Sequence, residues 1–304
     1  MTDRTTVSWK VMTYTLILIW LAFSVAPLLW LVSASLKPEE LAGRYPPSLV
    51  PESITFENFG RVLADRGFGG GDAFRPRIGI GDLSVETVSL PPGIRPFWNS
   101  MRLGFVTTLA SLVVSTMAGY VLALYRFPLR SFFRVFVLLA QQIPIVIMIV
   151  PLFLVLASYN LAFTFSGVSL ALIVFVTPFS TWLMMGYFSS VPKELMESAK
   201  IDGAGHLLTF LYVMMPLSVP GMATVAIFAF TRAWNEFMLV LALSRGQDTL
   251  PYTVAIFNFF GEYGTGSWHL IAAAALLASL PVLLLFTVFQ RYFISGLTSG
   301  AIKQ

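Results

Sequence analysis

Cysteine is absent from all 304 residues, which excludes a disulfide framework, a thiolate metal site and a cysteine nucleophile. Histidine occurs twice, as His206 and His269, too far apart in sequence to read as a ligand cluster, so no metal site is expected. Charge is scarce as well. Only 11% of residues are Asp, Glu, Lys or Arg, and the formal net charge of +4 is not gathered into a basic run, which sets nucleic acid aside as a partner. A phosphate-binding G-x-x-x-x-G-K-[ST] loop is missing too, since none of the five lysines follows a glycine. No fixed-period repeat, heptad pattern or low-complexity tract is visible.

The chain is instead rich in apolar length. Hydrophobic residues make up 57% of it and the mean hydropathy is +0.79, above the roughly 45–50% apolar content of soluble domains. A bilayer core takes about 20 apolar residues as helix. Six stretches qualify, at about 11–35, 103–125, 132–156, 168–188, 220–244 and 270–293. The reading is an all-α, polytopic membrane protein with six transmembrane helices. The first stretch follows a short basic lead but is longer than the 7–15 residues of a signal-peptide core, so it is expected to remain as a span.

Orientation follows from the short loops, where basic residues mark the cytoplasmic side. The connection after the second stretch carries Arg126, Arg130 and Arg134 without an acid, and the loop after the fourth carries Lys193 and Lys200; the opposite short loops carry only Arg245. Both termini are therefore expected in the cytoplasm, in an inner membrane. The expected layout is a cytoplasmic lead (1–10), a first span (11–35), an external segment (36–98), a five-helix core (99–293) with a cytoplasmic loop at 191–219, and a cytoplasmic tail (294–304). In the external segment, residues 67–76 read as a glycine-rich turn, and 77–93 alternate weakly, as one or two short strands would. Its role as docking platform or covering loop stays open.

The least membrane-like stretch is "KELMESAKIDGAGHLLTFLYVMMPLSVP", residues 193–220. Pro192 suits a helix start, and Glu194 and Glu197 in the first turns favour the positive end of the helix dipole. Ser198, Ala199, Gly203 and Ala204 are small enough to let another backbone approach, and Asp202 before Gly203 reads as a helix end. Pro216 and Pro220 then break the chain before it re-enters the membrane. A helix lying on the headgroups would carry large apolar residues on one face and many basic ones on the other. Small residues and balanced charge fit docking to a protein better.

Glu197-Ser198-Ala199, then Gly203, then nine residues, then Val213-x-Met215-Pro216 resembles the EAA loop, E-A-A-x-x-x-G-x9-I-x-L-P, of permease subunits of bacterial ATP-binding-cassette (ABC) importers. Ser198, Val213 and Met215 are mild departures. Residues 177–204, 233–244 and 290–304 are similar to the maltose-permease G-type subunit of carbohydrate importers, while the external segment near 65–95 is longer than the family's. The resemblance implies a type I importer permease fold. It also implies work beside a second permease, a pair of ATPase subunits and an extracytoplasmic solute-binding protein, carrying a mono-, di- or oligosaccharide, a polyol or a glycerol phosphate. No catalysis and no cofactor are expected in this chain, ATP and magnesium being bound by the ATPase subunits. Glu194, Glu197, Ser198, Ala199, Asp202, Gly203 and Pro216 would form the coupling loop seated on the ATPase.

Two intramembrane groups complete the reading. Arg232 and Glu236 in "FTRAWNEF" (230–237) are four apart, so a continuous helix would let them pair. Trp234 and Asn235 offer a ring for stacking on a sugar and an amide for hydrogen bonding, as pathway contacts or as structural residues. Gln141 and Gln142, in "QQIPIVIMIVP" (141–151), line the pathway or bond a neighbouring helix. A secondary carrier or channel acting alone would instead show unpaired acids in its spans and related halves. Glu236 is the one mid-span acid.

Overall fold

The computed structural model describes residues 7–46, 48–64, 77–80, 83–86, 92–246, 249–260 and 267–301. The turn expected at 67–76 lies outside the described residues. In chain order the helices are α1 (Val7–Ser35), α2 (Glu39–Ala42), α3 (Glu57–Ala64), α4 (Ile94–Leu124), α5 (Arg130–Ala140), α6 (Ile145–Ser158), α7 (Phe165–Ser190), α8 (Lys193–Ile201), α9 (His206–Leu208), α10 (Met215–Leu217), α11 (Val219–Asn235), α12 (Met238–Leu243), α13 (Tyr252–Ala255) and α14 (Trp268–Ala301). A turn of π-helix, Thr209–Met214, joins α9 to α10. Between α3 and α4, strands β1 (Arg77–Ile80) and β2 (Leu83–Glu86) form an antiparallel hairpin in which Arg77 faces Glu86 and Ile80 faces Leu83. The weak alternation in this stretch thus corresponds to two strands.

The chain divides into two compact units. One comprises Met1–Ala73, Pro91–Gly93 and Ile256–Ser279. Its α1 is apolar on every side, with Trp20, Phe23 and Leu28 exposed, as a helix that faces lipid or another chain must be. The end of α1 is closed by buried Asn58, whose Nδ2 donates to the carbonyls of Ser35 and Lys37, both at 2.8 Å; these groups would otherwise lack a partner at the helix terminus. The Lys37 ammonium donates to the Ser48 carbonyl. Glu39 accepts from Arg61 at 3.2 Å and lies 3.8 Å from Nε2 of His269. Gly93 is required by space: a Cβ there would stand 2.2 Å from the Val62 carbonyl oxygen.

The other unit comprises Phe74–Leu90, Ile94–Ala255 and Leu280–Gln304. Its centre is the pair α4 and α7, with α11 packed on both. The buried face of α4 is built from small and hydroxylated residues, among them Gly104, Thr107, Ser111, Ser115 and Gly119. Such residues let helices approach in lipid, where apolar burial alone gives no drive to associate. The approach is close: a Cβ on Gly119 would lie 2.7 Å from Cβ of Met184, and one on Gly104 2.8 Å from the Phe230 ring. One apolar cluster joins Leu103, Leu172, Ala233, Leu239 and Leu243; another joins Tyr120, Met184, Phe188, Phe210, Met214 and Val225.

Among the described residues four helices are long and apolar enough to cross a membrane, and up to six spans result if each of two bent pairs counts as one. The helical boundaries correct the sequence reading in several places. The stretch expected as one span at 132–156 is α5 and α6, bent by 105° at residues 141–144, where Pro144 withholds an amide from the helical ladder. The span expected at 220–244 stops at Asn235 and resumes at Met238. The second span begins earlier than expected, at Ile94, inside the segment assigned to the outside. Finally, the separate tail expected at 294–304 continues α14 as far as Ala301.

Candidate functional site

The charged loop after α7 folds as a short helix with a defined end. Pro192 precedes α8 and Glu194 lies in its first turn, where a carboxylate meets unpaired amides. The Ser198 hydroxyl donates to the Glu194 carbonyl at 2.9 Å. At the other end the Asp202 amide donates to the Ser198 carbonyl at 3.0 Å and the Ala204 amide to the Ala199 carbonyl at 2.9 Å. Gly203 between them has φ +84°. This six-to-one bond around a left-handed residue is the Schellman closure of a helix. Nothing lies within 4 Å of the place a Gly203 Cβ would take. Within this chain Gly203 is therefore required by its backbone conformation, where the sequence reading emphasised small size.

The loop presents one side outward and rests on the other. Glu194, Glu197, Ser198, Asp202 and Gly203 are exposed, whereas Ala199 is buried where α8 packs on the π turn. Beyond it Ile201 and Tyr212 are 86% and 75% exposed. Large apolar side chains next to a charged helix form a surface suited to a protein partner. Thr209, Phe210 and Met214 point the other way, into the core. Pro216 lies in the first turn of α10, and the Ser218 amide donates to the carbonyls of Met214 and Met215 at 3.1 Å each. There the chain turns by 75° into α11.

The second candidate group separates in space. The expected ion pair between Arg232 and Glu236 is not formed. Pairing at i and i+4 needs a continuous helix, but α11 ends at Asn235 and Glu236 takes an extended backbone (φ −69°, ψ 125°). Glu236 instead turns forward, its Oε1 accepting the Leu239 amide at 3.3 Å at the start of α12, while its carbonyl accepts from the Thr253 hydroxyl at 3.3 Å. The Arg232 guanidinium lies 5.2 Å above the Phe175 ring, a cation–π contact. Trp234, considered for sugar stacking, is 2% exposed, edge-on to Phe97 at 5.4 Å and stacked on Phe230 at 5.8 Å. In this chain it is a core residue. Asn235 remains exposed, its Nδ2 donating to the Thr231 carbonyl at 2.9 Å. Gln141 is half-buried and Gln142 exposed, both in the break between α5 and α6.

Sequence reasoning missed the use made of two loop arginines. Arg130 donates to the carbonyls of Leu122 and Ala123 at 3.0 and 2.6 Å, and Arg134 makes two bonds of 3.0 and 2.7 Å to the Leu122 carbonyl. They close the C-terminus of α4, where cations are favoured. Their position just past an apolar run was the available signal. Also missed was a hydroxyl–imidazole chain, Tyr120 to Tyr125 at 3.1 Å and Tyr125 to Nδ1 of His206 at 2.9 Å.

The chain has counterparts among known proteins. Residues 115–299 match the family of binding-protein-dependent transport system inner membrane components. The chain belongs to this family. It is 32% identical to the trehalose transport system permease protein SugB of Mycobacterium tuberculosis, with 92% of this chain and 93% of the relative covered. It is 31% identical to the arabinooligosaccharides transport system permease protein AraQ of Halalkalibacterium halodurans, covering 92% and 91%. The fold matches a chain of a bacterial ABC transporter that imports the acidic polysaccharide alginate, with a TM-score of 0.76 at 20% identity over 96% of this chain and 99% of that one. A chain of the inward-facing MetNI methionine transporter matches with a TM-score of 0.55 at 18% identity, over 67% and 95%. The protein is thus a transport component of the membrane, not an enzyme, with the fold of an importer permease.

Proposed function

We propose that the chain, with a second permease, forms the pathway by which an ABC importer takes up a saccharide delivered by a solute-binding protein. Relatives along almost its whole length are named for trehalose and arabinooligosaccharide transport. A fold neighbour is an alginate importer that has been crystallised with a saccharide-bound periplasmic protein. ATP and magnesium belong to partner ATPase subunits, the chain having no phosphate-binding loop of its own.

The observation that carries the reading is the loop 193–216. It has the spacing of the EAA motif, and its first element, α8, is a short helix whose outer side is exposed, whose inner side is bedded on the π turn, and whose end is fixed by Gly203. Such a helix is a rigid handle. Seated in an ATPase cleft, it would convert closure of that subunit into movement of α7 and α11, the bistable element being the two packings of the permease pair. Both termini and this loop are cytoplasmic in the proposal, with the hairpin segment outside. Of the intramembrane residues, Asn235, Gln141 and Gln142 remain candidates for the pathway.

The test is purification in detergent with the partner subunits, followed by saccharide-stimulated ATP hydrolysis in liposomes. Because the sequence has no cysteine, single cysteines at Ser84 and Ser198 report orientation without background. An impermeant maleimide applied to cells should label Ser84→Cys and spare Ser198→Cys. Isolation without an ATPase, or the reverse labelling, overturns the proposal.

A further inference from the structure

We propose that the groove beside the C-terminal turns of α4 binds an anionic glycerophospholipid, with the headgroup phosphate on Arg126 and an acyl chain along Met117 and Val121. The groove has a volume of about 580 Å³. Its walls are apolar, formed by Met117, Val121, Phe127, Leu207 and Phe210. It opens at the C-terminal end of α4, a helix long and apolar enough to cross a membrane, and in the proposal this end lies at headgroup depth. Tyrosines are favoured at that depth, and Tyr120 and Tyr125 line it.

The charge on the α4 side of the groove has one sign. No Asp or Glu occurs between Glu86 and Glu194, and three arginines follow α4. Two of them are already engaged: Arg130 and Arg134 lie on the carbonyls of Leu122 and Ala123. The polar groups of the inner wall bond one another in the chain Tyr120–Tyr125–His206. Arg126 lies on the rim, exposed, and no carboxylate comes within 4.0 Å of it among the described residues. A guanidinium at headgroup depth over an apolar trough presents what a phosphodiester with attached chains requires. A free phosphate would leave the trough uncovered. A neutral helix of another subunit would cover the trough but bury the cation without a partner, which is costly.

The test uses the complete importer, purified in detergent, stripped of lipid and incubated with equal amounts of phosphatidylglycerol and phosphatidylcholine. Retained lipid is then counted by native mass spectrometry. The wild type should retain phosphatidylglycerol in preference. Arg126→Gln should reduce that retention about fivefold, the factor that one basic side chain near the surface supplies, and should leave phosphatidylcholine unchanged. Arg126→Lys should restore retention. Val121→Trp, which fills the trough while keeping the charge, should also lower it. Size-exclusion profiles establish that each variant is assembled, and none of these readouts depends on transport. The proposal is overturned by Arg126→Gln retaining phosphatidylglycerol as the wild type does, by equal retention of the two lipids, or by a cysteine at Leu207 cross-linking to the second permease across the groove.

Discussion

Substitution of Gly203 separates two reasons for having glycine in the proposed coupling loop. At φ +84° with open space around the Cβ position, the structure makes the requirement one of backbone conformation. An L-residue with a Cβ costs about 1–2 kcal/mol in the left-handed region, while asparagine tolerates that region far better. Gly203→Ala should therefore weaken the closure that the Ala204 amide makes on Ala199, lowering the population of the capped loop by a factor of about 5 to 30. Gly203→Asn should cost less than alanine, because asparagine is the other residue that commonly closes a helix in this conformation. The assay is ATP hydrolysis stimulated by saccharide-loaded binding protein, in liposomes containing equal amounts of assembled complex, with unstimulated hydrolysis as the reference. Alanine should reduce stimulation severalfold and asparagine should retain most of it. If asparagine damages stimulation more than alanine does, volume at a docked surface is the cause, and the conformational reasoning fails.

Trp234→Ala should lose about 3–5 kcal/mol of packing, so the yield of assembled complex should fall in proportion to uptake; uptake lost at full yield would make the ring a pathway contact after all. Asn235→Ala should lower saccharide uptake without changing complex yield or unstimulated ATP hydrolysis, because the amide is exposed and bonds only its own helix; unchanged uptake removes it from the pathway. Arg232→Ala and Glu236→Ala should be additive in thermal unfolding of the complex, coupling by no more than about 0.5 kcal/mol. Rescue of one by the other would show that the pair forms in the assembled transporter.

The spans were legible because uninterrupted apolar length has one common explanation in a chain of this composition. Their interruptions were harder to read. A hydropathy window runs straight across Gln141–Pro144, where the chain turns by 105°, although the two amides and the proline were visible as a weak point. "WNEFM" holds neither glycine nor proline, so nothing local announced that α11 would end at Asn235. That end is fixed by partners distant in sequence, the Thr253 hydroxyl on the Glu236 carbonyl and Phe97 against Trp234. The error over the Arg232–Glu236 pair follows directly, since i, i+4 reasoning presumes the helix. The helix at 193–201 and its end were legible because their signals are local: a proline before the helix, acids in its first turns, and a glycine at its end.

How a push on α8 would reach the membrane, in the proposed coupling, follows from what lies beneath the helix. Ala199 is buried where α8 rests on the π turn Thr209–Met214. From that turn Phe210 and Met214 enter the cluster that includes Tyr120 of α4, Met184 and Phe188 of α7, and Val225 of α11. The loop is thus joined to all three helices of the core by close-packed side chains, which transmit displacement because they have little free volume to absorb it. The wide π turn lies in the stretch before Pro216, which cannot supply the amide that an α-helix would direct to the Tyr212 carbonyl. π turns inside α-helices recur at functional sites. Here the turn lets one short segment face two ways, offering Leu211 and Tyr212 outward while Phe210 and Met214 remain in the core. Phe210 and Met214, four residues apart, share a face as they would in an α-helix, so both anchors enter the cluster from one side of the turn. In the proposed coupling, the π turn is the element through which α8 would act on these buried anchors.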